Sequence, residues 1–217
     1  MRKILLILFF AMLLLSNSKE SFAVRDWEYW SRYSVAVPLS KQITYYIKPE
    51  WRVKEEFYRY LFKLENAVGF KLNDFIEIAP YYVWLEKKTI ICADRSDLFY
   101  LDVTASLPLK DFFDLKFIDR ARYQYNFDKE TTIWRNSLKV TRNFKITETI
   151  EFAPFLEDEI FYDTKVNAVT ENWASSGLSI ILNKNISLSA CYLLDSIKKV
   201  DDWQYANVIV SSFAVKF

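Results

Sequence analysis

One pattern governs what this chain can fold into: apolar and polar residues alternate with a period of two from Trp27 to Phe217. Successive side chains of a strand point to opposite faces, whereas a helix repeats every 3.6 residues. Trp27, Tyr29, Ser31, Tyr33, Val35 and Val37 share one face of the first run. In the second, Ile43, Tyr45, Ile47, Trp51 and Val53 oppose Thr44, Tyr46, Lys48, Glu50, Arg52 and Lys54. Tyr60, Phe62, Leu64 and Val68 then alternate with Lys63 and Glu65, and Ile76, Ile78, Tyr82 and Trp84 oppose Glu77. Phe117, Ala121, Tyr123 and Tyr125 oppose Lys116, Arg120, Arg122 and Gln124, while Trp134, Leu138 and Val140 oppose Arg135, Ser137 and Lys139. No segment after Ala23 sustains a helical period, and no Pro-rich, Ser-rich or low-complexity linker divides the chain. The expectation is one all-β domain over residues 24–217.

Two all-β architectures alternate in this way. A soluble sandwich turns its polar face outward; a transmembrane barrel turns its apolar face outward and keeps polar residues in the lumen. The runs are about ten residues or more, the length a tilted spanning strand needs, against about 5–6 for soluble strands. The charged faces carry both signs, and aromatics gather near the ends of the runs, as in interfacial girdles. The sequence therefore predicts an antiparallel transmembrane β-barrel of 10–12 strands. Eleven runs are visible, and the even counts of bacterial barrels favour twelve, with Ile146–Tyr162 broken near Glu157-Asp158. Ten would follow if the first run were not a full strand. Short turns after Val37, Leu72, Leu107, Phe144 and Leu182 are expected to alternate with longer connections near Glu86–Ser96, Thr164–Asn172 and Asp195–Asp202.

Both ends of the sequence carry address-like features. Arg2 and Lys3 precede an apolar run from Ile4 to Leu15, followed by Ser21-Phe22-Ala23. That is the layout of a cleaved secretory signal peptide over residues 1–23. The apolar run is too short to cross a bilayer as a helix, which takes about 20 residues. At the other end Ile209, Phe213, Val215 and Phe217 alternate up to a terminal aromatic. This resembles the C-terminal signal by which outer-membrane barrels are recognised for assembly, and marks Phe213, Val215 and Phe217 as its residues. The expected location is the outer membrane of a Gram-negative bacterium, and the expected partners are its lipids and the barrel assembly machinery.

Composition removes many chemistries. The 217 residues include no histidine, two cysteines (Cys92 and Cys191) and two glycines (Gly69 and Gly177). A Ser-His-Asp or Cys-His pair cannot be built, nor a histidine-ligated metal centre or a Gly-rich phosphate loop. A net charge of +1 does not point to nucleic acid. The expectation is no catalytic residues, no metal and no cofactor. Glu157, Asp158 and Glu159 read as a solvated bend, and the cysteines as unpaired.

Several stretches resemble the domain-of-unknown-function family 2490, a group of outer-membrane β-barrels of Gram-negative bacteria. They are Asp26-Trp27-Glu28-Tyr29-Trp30, Ala79-Pro80-Tyr81-Tyr82, Asp119-Arg120-Ala121-Arg122, Trp134-Arg135-Asn136, Phe155–Phe161 with Glu159, Gly177-Leu178, Tyr192 and Phe217. The resemblance spans nearly the whole chain after residue 23. It implies a barrel fold and an outer-membrane location, and no chemistry.

Function then turns on the lumen. Arg52, Glu65, Glu77, Arg120, Arg122, Arg135 and Glu151, with Lys63 and Lys139, all fall on the polar face. They are expected to form a charge network in which Glu65, Glu77 and Glu151 neutralise the arginines. A network that cross-links the lumen makes a plugged, non-enzymatic barrel; one that lines it makes a narrow channel for small polar solutes or ions. A soluble periplasmic sandwich acting as a binding module is the further alternative.

Overall fold

A computed structural model describes residues 26–54, 59–88, 92–109, 113–199 and 202–217; the expected signal peptide lies outside them. Among the described residues every regular element is a strand. They are β1 (Asp26–Pro38), β2 (Ile43–Lys54), β3 (Arg59–Lys71), β4 (Ile76–Lys88), β5 (Ala93–Leu109), β6 (Leu115–Asn126) and β7 (Thr131–Thr141), then β8 (Phe144–Lys145), β9 (Glu151–Asp163), β10 (Ala168–Ile181), β11 (Ile186–Lys198) and β12 (Trp203–Lys216). Each long strand pairs antiparallel with the next, and β7 and the two-residue β8 both pair with β9. The ring closes where β1 meets β12. The fold is a closed barrel of eleven staves, with β8 as a short extra strand.

Eleven corrects the expectation of twelve. Neither the break in the eighth stave nor the loss of the first occurs: β9 runs unbroken through Glu157 and Asp158, and β1 pairs along its length. An odd ring of alternating strands must contain one parallel neighbour pair. Here it is β1 with β12, in register from Asp26↔Ala206 to Ala36↔Lys216. As a result β1 begins at one rim, here called the upper, and β12 ends at the other, the lower. The expected alternation of short and long connections is also absent. The turns 127–130 and 164–167 of the upper rim are as short as 39–42 and 72–75 of the lower, and β4, β5 and β11 reach to Lys88, from Ala93 and to Lys198.

Four lower-rim turns are copies of one device. Leu39-Ser40-Lys41-Gln42-Ile43, Leu72-Asn73-Asp74-Phe75-Ile76, Ile146-Thr147-Glu148-Thr149-Ile150 and Leu182-Asn183-Lys184-Asn185-Ile186 share the order aliphatic, Ser/Asn/Thr, two variable residues, Ile. In each, the first two backbone N–H groups donate to the closing isoleucine carbonyl. The Ser, Asn or Thr side-chain oxygen accepts from the N–H groups two and three residues on. Such side-chain turns replace glycine, which is why the chain turns so often with only two. Both glycines instead sit in strands. A Cβ on Gly177 would lie 2.3 Å from the Cys191 Cβ, and one on Gly69 would lie 2.7 Å from the Tyr46 ring. The cysteines are not bridged.

The two faces fall as the alternation requires. Trp27, Tyr29, Tyr33, Trp51, Leu101, Leu107, Leu138, Ile160 and Phe213 are exposed on the outer wall. Cross-strand aromatics interlock there, with Tyr33–Trp51, Trp51–Phe62 and Phe62–Trp84 centroids 6.2, 4.5 and 5.6 Å apart. Such neighbours stabilise a sheet by about 0.2–1 kcal/mol a pair. The outer wall is not wholly apolar. Asn136 donates to Asp119 and Asn172 to Asp158, while Tyr45 pairs with Asn66 and Tyr192 with Asn207. Each of these polar groups is matched on the adjacent strand.

Glu130 sits in an upper turn at φ 50°, a conformation costing a non-glycine residue about 1–2 kcal/mol. Glu130→Gly should therefore raise unfolding free energy by up to about 1 kcal/mol after the entropic loss of glycine. Asn183→Ala, which removes two side-chain bonds from a lower turn, should reduce it by a similar amount. Urea titration of the refolded protein reads both.

Candidate functional site in the barrel lumen

An eleven-stave barrel encloses more space than the eight-stranded kind that side chains fill readily, and less than a porin. Long inward residues occupy it here. The buried set combines Trp30, Tyr81, Val83, Tyr100, Phe161, Trp173 and Leu193 with Glu50, Lys63, Glu65, Asp102, Arg122, Arg135, Glu159 and Asp195. Burying a charge is very costly unless it is paired, so the ion pairs decide whether this interior can exist.

Those around the centre of the lumen form one continuous chain and one separate cluster. Glu50 holds Arg32 Nε at 2.8 Å, Arg52 Nε at 2.5 Å and Lys63 Nζ at 3.5 Å. Lys63 continues to Glu65 at 2.8 Å, and Glu65 lies 3.9 Å from Arg122. Arg122 forks onto both oxygens of Asp102, at 2.5 and 2.7 Å. That bidentate geometry suits the planar guanidinium. Glu159 Oε1 gathers Arg120 and Arg135, each at 2.8 Å.

Aromatic faces complete the packing. The Arg52 guanidinium lies 3.7 Å from the Trp30 ring centroid, Arg122 4.4 Å from Tyr100 and Arg135 4.2 Å from Phe161. Trp30 and Trp173 meet edge-on at 5.0 Å, and Phe161 meets Trp173 at 4.6 Å. These three rings lie one inward position nearer the upper rim than Arg32, Glu159 and Ser175 on the same strands. Above them the indole N–H groups point at carboxylates: Trp30 donates to Glu28, and Trp173 to Glu171 and Asp195.

The lumen also contains a cavity of about 310 Å³, on the lower side of the aromatic layer. Arg32, Ser34, Lys48, Glu50, Lys63, Glu65, Arg120, Arg122, Arg135, Glu157, Glu159 and Ser212 are among its walls. No group of three or more Asp, Glu or Cys side chains disposed to hold a metal ion occurs among the described residues.

The expected network is therefore partly assembled. Arg52, Glu65, Arg120, Arg122 and Arg135 do meet in the lumen. Glu77 does not join them; it accepts from Tyr46. Glu151 sits at the lower mouth, bonded to Asn143. Of the three expected carboxylates only Glu65 reaches an arginine, Arg122, and Glu50, Asp102 and Glu159 neutralise the rest. Glu157 and Glu159 belong to no solvated bend. They point inward from an unbroken strand, Glu157 accepts from Ser137, and only Asp158 faces out. The alternation of β9 already held this signal, since inward Glu157 and Glu159 oppose outward Leu156 and Ile160.

The sequence also matches an established family, described as "Protein of unknown function (DUF2490)", over residues 27–206. The chain belongs to this family. The match begins at the second residue of β1 and ends in β12, so the closed DUF2490 barrel corresponds to almost the whole described structure. No curated protein matches the chain.

Removing one partner of a buried ion pair typically costs about 3–5 kcal/mol, because the other charge is stranded. Glu159→Gln, which leaves Arg120 and Arg135 without a carboxylate, should destabilise the barrel by that order. Glu151→Gln at the mouth should stay within about 0.5 kcal/mol of the parent. Chemical unfolding in detergent distinguishes the two.

Proposed function

We propose that this DUF2490 protein is a non-enzymatic outer-membrane barrel whose lumen is closed to ion flow. The observation that carries the proposal is the inversion of the two faces. Arg122 and Glu159 are 3% and 4% exposed, whereas Trp27 and Trp134 on the outer wall are 54% and 51% exposed. An apolar surface wrapped around an entire barrel far exceeds the few hundred Å² that a soluble monomer exposes. A bilayer is the solvent in which such a wall is stable.

The distribution of aromatics supports the same reading. Trp27, Trp51, Trp84, Trp134 and Trp203 face outward and lie within five residues of the upper ends of their strands. Indoles favour the membrane–water interface. The lower rim presents Leu39, Leu72, Phe75, Ile146 and Phe217 instead, all exposed. Phe213, Val215 and Phe217 alternate on the outer side of the last strand, where assembly machinery could read them. The signal-peptide pattern of residues 1–23 provides the route of export.

The closed lumen is inferred from the ion pairs and rings that bridge it. In planar bilayers the refolded protein should give no discrete conductance; stable steps of fixed size would favour the narrow channel. Cell fractionation should place the protein in the outer membrane, and recovery from the soluble periplasm would favour the sandwich-like binding module.

A substitution separates lipid from water at the outer wall. Leu101, exposed at the middle of β5, opposes Pro80 and Tyr123 on the adjacent strands. Leu101→Arg should cost about 2–4 kcal/mol if this wall faces the bilayer core. On a solvated surface the same change should fall within about 0.5 kcal/mol. Folding equilibria measured in lipid vesicles give the answer.

A further inference from the structure

The charges around the lumen cavity do not balance. Arg32, Lys48, Lys63, Arg120, Arg122 and Arg135 line it against only Glu50, Glu65, Glu157 and Glu159. The carboxylates are already engaged: Glu50 with three cations, Glu65 and Glu159 with two each, and Glu157 with Lys139 and Ser137.

The cations still have donors to spend. Among the described residues Lys48 forms no ion pair and donates only to the Tyr81 hydroxyl, at 2.7 Å. Arg32 hydrogen-bonds there through Nε alone. Arg120 donates one Nη hydrogen to Glu159, and its Nε is buried without a partner. Arg32 and Lys48 project from the adjacent strands β1 and β2, and Arg120 faces the same space from the distant strand β6. A buried donor without an acceptor, as at Arg120 Nε, is costly, and cations that face one cavity repel. A bound anion would relieve both.

We propose that this cavity is a binding site for one compact oxyanion, a phosphate or a small carboxylate, entering from the lower rim. Its volume of about 310 Å³ lies at the bottom of the range for small-molecule pockets, so a small ion fits and a lipid does not. Lys48 provides the uncompensated charge, and the free Nη groups of Arg32 and Arg120 provide planar donors suited to an oxyanion. Ser34 and Ser212 add hydroxyls to the wall. The Trp30–Trp173–Phe161 rings lie between the site and the carboxylates Glu28 and Glu171 on β1 and β10, so an anion entering from the lower rim meets the cations first. This inference requires the barrel alone and holds whether or not the outer wall faces lipid.

Isothermal titration of the refolded protein with inorganic phosphate, and separately with succinate, tests it at constant ionic strength in chloride. Saturable binding of at least one of them to a single site is expected. Lys48→Met should weaken that binding at least tenfold, as should Arg32→Gln, while Lys54→Met in the upper half leaves it within twofold. Urea midpoints confirm that each variant is folded, and Lys48→Arg should restore binding if Lys48→Met does not fold. Absence of saturable binding by both anions would overturn the proposal. So would affinities that Lys48→Met and Arg32→Gln leave within twofold of the parent.

Discussion

The parallel pairing of β1 with β12 is the constraint from which the rest follows. It closes the sheet and so leaves no free edge. It fixes the count at eleven, which sets the width of the lumen. It also places the start of β1 and the end of β12 at opposite rims. A ring of this size cannot be filled by small aliphatic side chains and is too narrow for a wide aqueous channel. The sequence meets that requirement with its longest side chains: Arg, Lys, Glu, Trp and Tyr project inward from nearly every stave.

Filling a low-dielectric interior with charge is stable only when acceptors and donors converge. Glu50 and Glu159 achieve this by collecting cations from several strands, and Arg122 by forking onto Asp102. The aromatic rings contribute a second kind of partner, since guanidinium groups lie over Trp30, Tyr100 and Phe161. Below that layer the compensation is incomplete around Lys48, Arg32 and Arg120. The proposed closure and the proposed anion site thus rest on one charge distribution: matched pairs bridge the lumen, and the cations that exceed them face the remaining space.

The outer wall fits the complementary rule that the proposed membrane location would impose. With no water in a bilayer core, polar groups there must satisfy one another. The Asp119–Asn136, Asp158–Asn172, Tyr45–Asn66 and Tyr192–Asn207 pairs do so between adjacent strands. The repeated lower-rim turn carries the same economy into the backbone, where a single side-chain oxygen closes each loop without glycine.

The alternation alone determined which residues face which way, because a strand's side-chain period is set by its backbone and not by its neighbours. Arg120, Arg122 and Arg135 were therefore legible as lumen residues, Phe213 and Phe217 as outer ones, and a barrel as the architecture. What alternation does not contain is the register between strands. Glu50 reaches Arg32 on the neighbouring strand, and Glu159 reaches Arg135 on the neighbouring strand and Arg120 one strand beyond, whereas Glu77 and Glu151, equally inward, sit nearer the lower rim with Tyr46 and Asn143 as partners. The strand count was likewise decided in three dimensions. Eleven runs were visible, but only the approach of β1 to β12 shows that an odd ring closes by one parallel pair. The cavity belongs to the same class of fact, since its net charge depends on which inward residues share a level once the ring is shut.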